Sequence, residues 1–118
     1  MWMVDPLLMC RQHLLGEHSE LHKFLPSWRR RYRVDGRVAG NAIEPASYLR
    51  RHDALAKEMV RRGFRHESPC EQPDFGYLPP KHRDAKVDTS ASIRLLSHRC
   101  ERCRQLQSAV YIAGKNEP

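Results

Sequence analysis

The fold is decided by residues 13–22, HLLGEHSELH, which place three histidines and two carboxylates on one amphipathic helix. At about 100° per residue, one stripe of this helix collects mostly apolar side chains: Leu7, Leu14, His18, Leu21, Leu25 and Trp28. A neighbouring stripe carries His13, Glu17 and Glu20 beside Gly16. Glycine costs a helix interior about 1 kcal/mol relative to alanine, so we expect another helix or a substrate to approach the backbone at Gly16. The segment predicts a helix with both a core face and an acid–base face.

Two further helices are predicted downstream, and no segment shows a convincing strand alternation. The first helix is expected over residues 6–25, opened by a proline and closed by Pro26. The second is expected over residues 45–63 and ends at a glycine, a natural C-terminal cap. The third follows Asp88 or Thr89 as its N-cap. Its predicted apolar face comprises Ile93, Leu96, Cys100, Cys103 and either Leu106 or Gln107. The predicted fold is an all-α, compact three-helix domain with long basic loops.

The length of 118 residues is that of one domain, residues 1–118, and the charge is strongly basic. Lys and Arg number 21 against 14 Asp and Glu, a net +7 that favours nucleic acid first and an anionic membrane surface second. Residues 26–44 and 67–87 form basic connections long enough to be functional. Arginines can contact phosphates, and adjacent aromatic rings can stack on bases. The predicted DNA-binding residues are Lys23, Trp28, Arg29, Arg30, Arg31, Arg33, Lys81 and Arg83. For the 29–33 cluster, a merely solvated basic loop remains the alternative.

The cellular location is predicted from two kinds of segment, a membrane-spanning run and a signal peptide. No run approaches 18 apolar residues, and residues 1–6 lack the features of a signal peptide. We therefore expect a cytoplasmic, nucleoid-associated monomer with no membrane partner. The four cysteines, at positions 10, 70, 100 and 103, are expected to be reduced thiols.

Two short patterns each supply half of a zinc site. His18 and His22 are four residues apart, and Cys100 and Cys103 form a Cys-x-x-Cys pair. No third ligand at a recognised spacing accompanies the histidines, and the cysteines lack a partner pair. Packed thiols and a core histidine are the preferred interpretation, so no metal and no other cofactor is expected. A zinc-dependent protein that uses all four residues is a weaker alternative.

The amino terminus and the acids are the reactive groups of interest. An α-amino group titrates nearer neutral pH than a lysine, so it can attack an aldehyde. Because Trp2 is bulky, Met1 is expected to remain and to carry the free amine. For Glu17 and Glu20, a solvated charge pair is the ordinary explanation. A carboxylate facing bound DNA would be repulsive without a chemical task, which favours an acid–base role in so basic a protein.

Two blocks of the sequence resemble the phage-type pyrimidine-dimer DNA glycosylases, the endonuclease V family, and most of all its short bacterial and phage relatives. The first block is residues 10–22, CRQHLLGEHSELH. The second is residues 51–64, RHDALAKEMVRRGF, followed by His66 and by Ser68 and Pro69. The resemblance implies a DNA repair glycosylase with apurinic/apyrimidinic lyase activity. Its substrate would be double-stranded DNA containing damaged pyrimidines, such as pyrimidine dimers, or abasic sites.

The resemblance also implies roles for single residues. The amine of Met1 would form an imine with the sugar, and Glu20, at the position of the family's essential carboxylate, would stabilise the cationic intermediate. His13 matches a family histidine and Lys23 replaces a DNA-contacting arginine. Ser19 stands where the phage enzyme has a substrate-gripping arginine. The alternative from a different class is a non-catalytic basic nucleic-acid-binding module whose acids are structural.

Overall fold

The computed structural model describes residues 1–66 and 68–115, with side chains through residue 108. Within those ranges the chain forms helices and connecting segments and no strand. The elements are a 3-10 turn (Pro6–Leu8), α1 (Arg11–Arg29), α2 (Asp35–Ala39), a 3-10 turn (Pro45–Ser47), α3 (Tyr48–Arg61), α4 (Pro80–Arg83), α5 (Thr89–Arg99) and α6 (Glu101–Lys115). The all-α prediction is confirmed, whereas the number of helices is wrong, since the described residues contain six. None of the described helices has both the length and the apolar character needed to cross a bilayer.

The core lies mainly between α1 and α3. The predicted stripe on α1 is confirmed for its buried members, which are Leu14, Leu21, Leu25 and Trp28. From α3 it meets Tyr48, Leu55 and Met59. Leu7 departs from the prediction, since it is 51% exposed. It belongs to the 3-10 turn that precedes α1, so the helical spacing does not extend to it.

The first helix continues past Pro26 to Arg29, which corrects the predicted end at residue 25. Trp28 lies in the last turn, is only 2% exposed, and meets the rings of Tyr48 and Phe75 with centroids 6.3 and 5.6 Å apart. Burial of so large an aromatic ring contributes more than the one helical hydrogen bond that a proline removes. Residues 26–29 are therefore helix, and Trp28 is a core residue rather than a surface ring beside the arginines.

The predicted third helix is two helices. Asp88 is its N-cap, as predicted, and accepts a hydrogen bond from the backbone N–H of Ala91 at 3.1 Å. At Cys100 the backbone is extended, with φ −133° and ψ 112°, so α5 ends there and α6 begins at Glu101. The apolar spacing continues through this break, because Leu96 and Cys103 are both fully buried. The connections are also shorter than predicted, since residues 26–44 contain α2 and residues 67–87 contain α4.

Gly63 and Gly16 are each predicted to have a specific structural role. Gly63 follows α3 with φ +87°, the left-handed conformation expected of a C-terminal glycine cap. At Gly16 the expectation of a close neighbour is wrong, because an added Cβ would meet no described atom within 4 Å. The helix packs through its opposite face, so Gly16 opens to the surface.

A buried ion pair joins α1, α3 and the amino-terminal segment. Arg51 on α3 donates to both carboxylate oxygens of Glu17, from Nε at 2.6 Å and from Nη2 at 2.9 Å. Its Nη1 donates to the carbonyl of Val4 at 2.7 Å, and Glu17 accepts the backbone N–H of Trp2 at 3.2 Å. Both charged side chains are almost fully buried. Glu17 is therefore a structural acid and does not share a solvated face with Glu20.

Replacement of Arg51 by Met should lower the free energy of unfolding by about 3–5 kcal/mol, because it leaves the Glu17 carboxylate buried without a countercharge. Denaturant titration measures the change. The matched control is Arg61→Met on the same helix. Arg61 is largely exposed and its partner Glu58 keeps Arg62, so we expect a loss within about 1 kcal/mol. Equal losses in the two variants would contradict the structural role of the Glu17–Arg51 pair.

Candidate active site

A cavity of about 270 Å³ brings together two of the three residues predicted to be catalytic. It lies between α1 and the segment that precedes α3. Its lining comprises Met1, Glu20, Leu21, Phe24, Trp28, Arg37, Ala42, Ile43 and Tyr48. Among these lining residues Glu20 is the one carboxylate, and Met1 is the residue that carries the amino terminus. We call this space the amine cavity.

The Met1 amine is held in place from several directions. It donates to the carbonyl oxygen of Ala42 at 2.8 Å. The Met1 sulfur accepts the backbone N–H of Glu44 at 3.5 Å, and the residue as a whole is 8% exposed. The next residue, Trp2, is fixed by its hydrogen bond to Glu17. The amino terminus is therefore an ordered part of the fold. It is positioned by its covalent neighbour Trp2 and by tertiary contacts of Met1 itself.

Aromatic rings and one guanidinium shape the rest of the amine cavity. The guanidinium of Arg37 lies 4.0 Å from the ring centroid of Phe24 and 5.4 Å from that of Trp28. Burial raises the pKa of Tyr48 to about 12, and its hydroxyl donates to the carbonyl of Leu21. Tyr48 therefore stays protonated near neutral pH.

His13, the third predicted catalytic residue, does not line the amine cavity. Its Nδ1 lies 3.2 Å from the sulfur of Cys10 and 3.7 Å from that of Cys103. The ring also meets the edge of Trp2, with centroids 6.2 Å apart. The structure therefore brings Met1 and Glu20 together and places His13 among thiols.

Comparison with known proteins adds a family to this geometry. A family model described as pyrimidine dimer DNA glycosylase matches residues 1–72, well over half of the chain. The chain belongs to this family. The predicted resemblance is thereby confirmed, and the chain is a member of a family of DNA repair glycosylases. Neither the curated proteins nor the solved structures gave a significant match. The matched region of this glycosylase contains the whole lining of the amine cavity.

The residues predicted to bind DNA are found in different environments. Lys23, Arg30, Arg31 and Lys81 are exposed. Three others have acidic partners: Arg29 with Glu71, Arg33 with Asp35, and Arg83 with Asp84 at 3.7 Å. Trp28, as described above, is buried and is not available to stack on a base from a surface loop. Its ring instead forms part of the amine cavity wall.

The two basic segments are neighbours in space although about fifty positions separate them in sequence. The Tyr77 hydroxyl donates to the carbonyl of Tyr32 at 2.7 Å. Nδ1 of His82 on α4 lies 3.6 Å from a carboxylate oxygen of Asp35 on α2. These contacts bring residues 29–33 and 81–83 together. A single phosphate backbone running over this surface would meet cations from both segments.

Two further groups of side chains converge outside the amine cavity, and each has ligand atoms within 4.8 Å of one another. The histidine cluster consists of His18, His22, His52 and His66. The thiol cluster consists of Cys10, His13, Cys100 and Cys103. The alternative of one zinc site formed by His18, His22, Cys100 and Cys103 is wrong, because the structure divides these residues between the two clusters. In the histidine cluster, His18 and His22 are joined by His52 and His66, which lie at distant positions in the sequence and which ligand spacing did not reveal.

Burial and hydrogen bonding shift the pKa values of side chains in both clusters. It lowers the pKa of His18 to about 4, with a further contribution from charge repulsion by the neighbouring histidines, and it lowers the pKa of His22. Both imidazoles are therefore neutral near pH 7. Burial raises the pKa of Cys103 to about 12, whereas a hydrogen bond from the backbone N–H of Cys103 lowers the pKa of Cys100.

The prediction that Arg30 contacts a phosphate is tested by Arg30→Ala, which should weaken binding to double-stranded DNA and reduce the slope of log K against log salt by about 1. Binding titrations across a salt series measure both quantities. Arg94→Ala is the control, since Arg94 is exposed on α5 and lies outside the two basic segments. An identical slope for the two variants would remove Arg30 from the interface.

Proposed function

We propose that this glycosylase couples removal of a damaged pyrimidine to cleavage of the DNA strand, with the Met1 amine as nucleophile and Glu20 as the acid–base group. The observation that carries this proposal is that Met1 and Glu20 both line one cavity. Support comes from the family match, which covers both residues. We leave His13 out of the proposed pair because it does not line that cavity.

The proposed reaction begins at C1′ of the damaged nucleotide. The Met1 nitrogen, in its neutral form, forms a bond to C1′ while the glycosidic bond breaks, and the base departs with its electron pair and takes up the proton that the attached nitrogen loses. Positive charge develops on the sugar, and the Glu20 carboxylate stabilises it electrostatically. The nitrogen lone pair then displaces the sugar ring oxygen from C1′. That oxygen leaves with its electron pair and takes up the remaining N–H proton, which gives an imine between Met1 and C1′.

The imine allows the same pair to cleave the strand. Glu20 accepts a proton from C2′, the electron pair moves to form a C2′–C3′ double bond, and the C3′–oxygen bond breaks to release the phosphate. Water then hydrolyses the imine and frees the Met1 amine. The hydrogen bond to the Ala42 carbonyl orients the amine for the first step.

The substrate would be double-stranded DNA carrying a damaged pyrimidine, such as a pyrimidine dimer, or an abasic site. The reacting atoms of a stacked nucleotide are inaccessible, so the nucleotide must leave the duplex to reach the amine cavity. The neighbouring basic segments 29–33 and 81–83 would bind the flanking phosphates. We place this activity in a monomer acting on the DNA of the cytoplasm and its nucleoid.

Glu20→Gln should bind an abasic duplex as the parent protein does but cleave it about 100-fold or more slowly, because the amide cannot accept the C2′ proton. Strand cleavage and duplex binding are measured on the same samples. The matched control is Glu101→Gln, which removes an equal charge from an exposed position on α6. Unimpaired cleavage by Glu20→Gln would remove Glu20 from the mechanism.

The role of the amine is tested by borohydride trapping of the imine on the same duplex. The parent protein should give a covalent adduct that maps to Met1 by mass spectrometry. A protein with one residue added before Met1 should give none, since its amine is displaced from the cavity. Lys23→Arg should trap normally. Salt-dependent binding without any adduct from the parent protein would instead support a non-catalytic DNA-binding module.

A further inference from the structure

The thiol cluster has the geometry of a metal site. The sulfurs of Cys10 and Cys100 are 3.8 Å apart, and Nδ1 of His13 lies 3.2 and 3.7 Å from the sulfurs of Cys10 and Cys103. A tetrahedral zinc ion with Zn–S bonds of about 2.3 Å separates two sulfurs by about 3.8 Å and a sulfur from a nitrogen by about 3.5 Å. The distances of 3.8 and 3.7 Å lie within about 0.2 Å of these edges, and that of 3.2 Å is about 0.3 Å shorter.

The sequence arranges the four ligands as two short pairs. Cys10 and His13 are separated by two residues, as are Cys100 and Cys103, and this is the ligand spacing of structural zinc sites. The first pair begins α1 and the second lies at the junction of α5 and α6. The extended backbone at Cys100, which divides the predicted third helix, brings its sulfur alongside that of Cys10.

Neither a disulfide nor simple packing explains the convergence as well. The separation of Cys10 and Cys100 is far longer than the about 2.05 Å of a disulfide bond, and all four cysteines are free thiols. The backbone N–H of Cys10 points to the sulfur of Cys103 at 3.3 Å, a contact that stabilises a thiolate. Such outer hydrogen bonds are typical of the surroundings of metal ligands.

We propose that Cys10, His13, Cys100 and Cys103 bind one Zn²⁺ in a closed tetrahedral site. Each thiol loses its proton to solvent as its sulfur bonds to the metal. The four protein ligands leave no open position, so the role is structural. The ion would fasten the α5–α6 junction, which lies beyond the matched residues 1–72, to the start of α1.

Metal analysis of the untagged protein, equilibrated with Zn²⁺ and desalted, tests this site. Cys100→Ser should contain one zinc fewer per chain than the parent protein, whereas Cys70→Ser, at the cysteine outside the cluster, should lose none. Equal zinc contents for all three proteins would overturn the proposal.

Substitution with Co²⁺ keeps the test valid if Cys100→Ser fails to fold. The parent protein should show intense thiolate-to-cobalt absorption together with the visible bands of tetrahedral Co²⁺, and Cys70→Ser should show the same spectrum. Absence of thiolate absorption from the folded, cobalt-loaded parent protein would exclude sulfur ligation.

The histidine cluster supports a second site on different evidence. Nε2 of His52 lies 3.1 Å from Nε2 of His18 and 3.0 Å from Nε2 of His22, while Nε2 of His66 lies 2.9 Å from Nε2 of His18. Four imidazoles from α1, α3 and the segment after α3 thus direct the same ring atom toward one point.

Hydrogen bonding alone does not satisfy this arrangement. Each Nε2 has one in-plane position, which holds either a proton or a lone pair. Nε2 of His18 contacts two other nitrogens, so it cannot direct a full hydrogen bond to both. Nδ1 of His52 lies 2.9 Å from the Asp53 carboxylate, which accepts its N–H and leaves the Nε2 lone pair facing the cluster. This carboxylate–histidine contact commonly orients a metal ligand.

We infer that His18, His22, His52 and His66 bind a divalent first-row transition metal through their Nε2 atoms. Imidazole suits zinc, copper, nickel and iron. Bonds of about 2.0–2.1 Å place the nitrogens about 2.9 Å apart in a square plane and about 3.3 Å apart in a tetrahedron, which brackets the observed contacts.

Zinc and nickel titrations distinguish this site from the thiol cluster. His66→Gln should bind one metal ion fewer than the parent protein yet keep thiolate-to-cobalt absorption, whereas Cys100→Ser should lose that absorption and keep the nitrogen site. His98→Gln, at an exposed histidine on α5, is the control and should bind as many ions as the parent. Unchanged metal content in folded His66→Gln would overturn the histidine site.

Discussion

The buried pair of Glu17 and Arg51 is the constraint on which the architecture depends. Its cost of desolvation is offset because the guanidinium meets both carboxylate oxygens and a main-chain carbonyl at once. One arginine thereby sets α3 against α1 and also fixes the path of residues 2–4. That path determines where the amino terminus lies, so an interaction outside the amine cavity positions a group within it.

Much of the fold follows from local sequence rules, and the errors have identifiable physical causes. Helical periodicity correctly predicted the buried stripe of α1 and the cap at Gly63. The rule that proline ends a helix failed at Pro26, because burial of Trp28 among aromatic rings stabilises another turn. The break at Cys100 was invisible to periodicity, since the apolar spacing continues across it. At Gly16 the helix-destabilising cost of glycine predicts a close neighbour, but an added Cβ would meet no described atom within 4 Å.

Sequence spacing predicts only part of each candidate site. The pairing of Met1 with Glu20 came from resemblance, because no local spacing connects a chain terminus to the middle of a helix. The histidine and thiol clusters were visible only as halves, since their members are contributed from positions up to 93 residues apart. The buried role of Glu17 was likewise hidden, because its partner lies 34 positions away.

The hydrogen bond between the Met1 amine and the Ala42 carbonyl connects groups 41 positions apart. A contact of that range forms only after the intervening chain has been closed into a loop, at an entropic cost that local helix formation does not offset. The amine consequently acquires its surroundings only when the chain between residues 1 and 42 has adopted its folded path. The shared cavity of Met1 and Glu20 therefore depends on tertiary contacts between distant segments, and neither segment alone could form it.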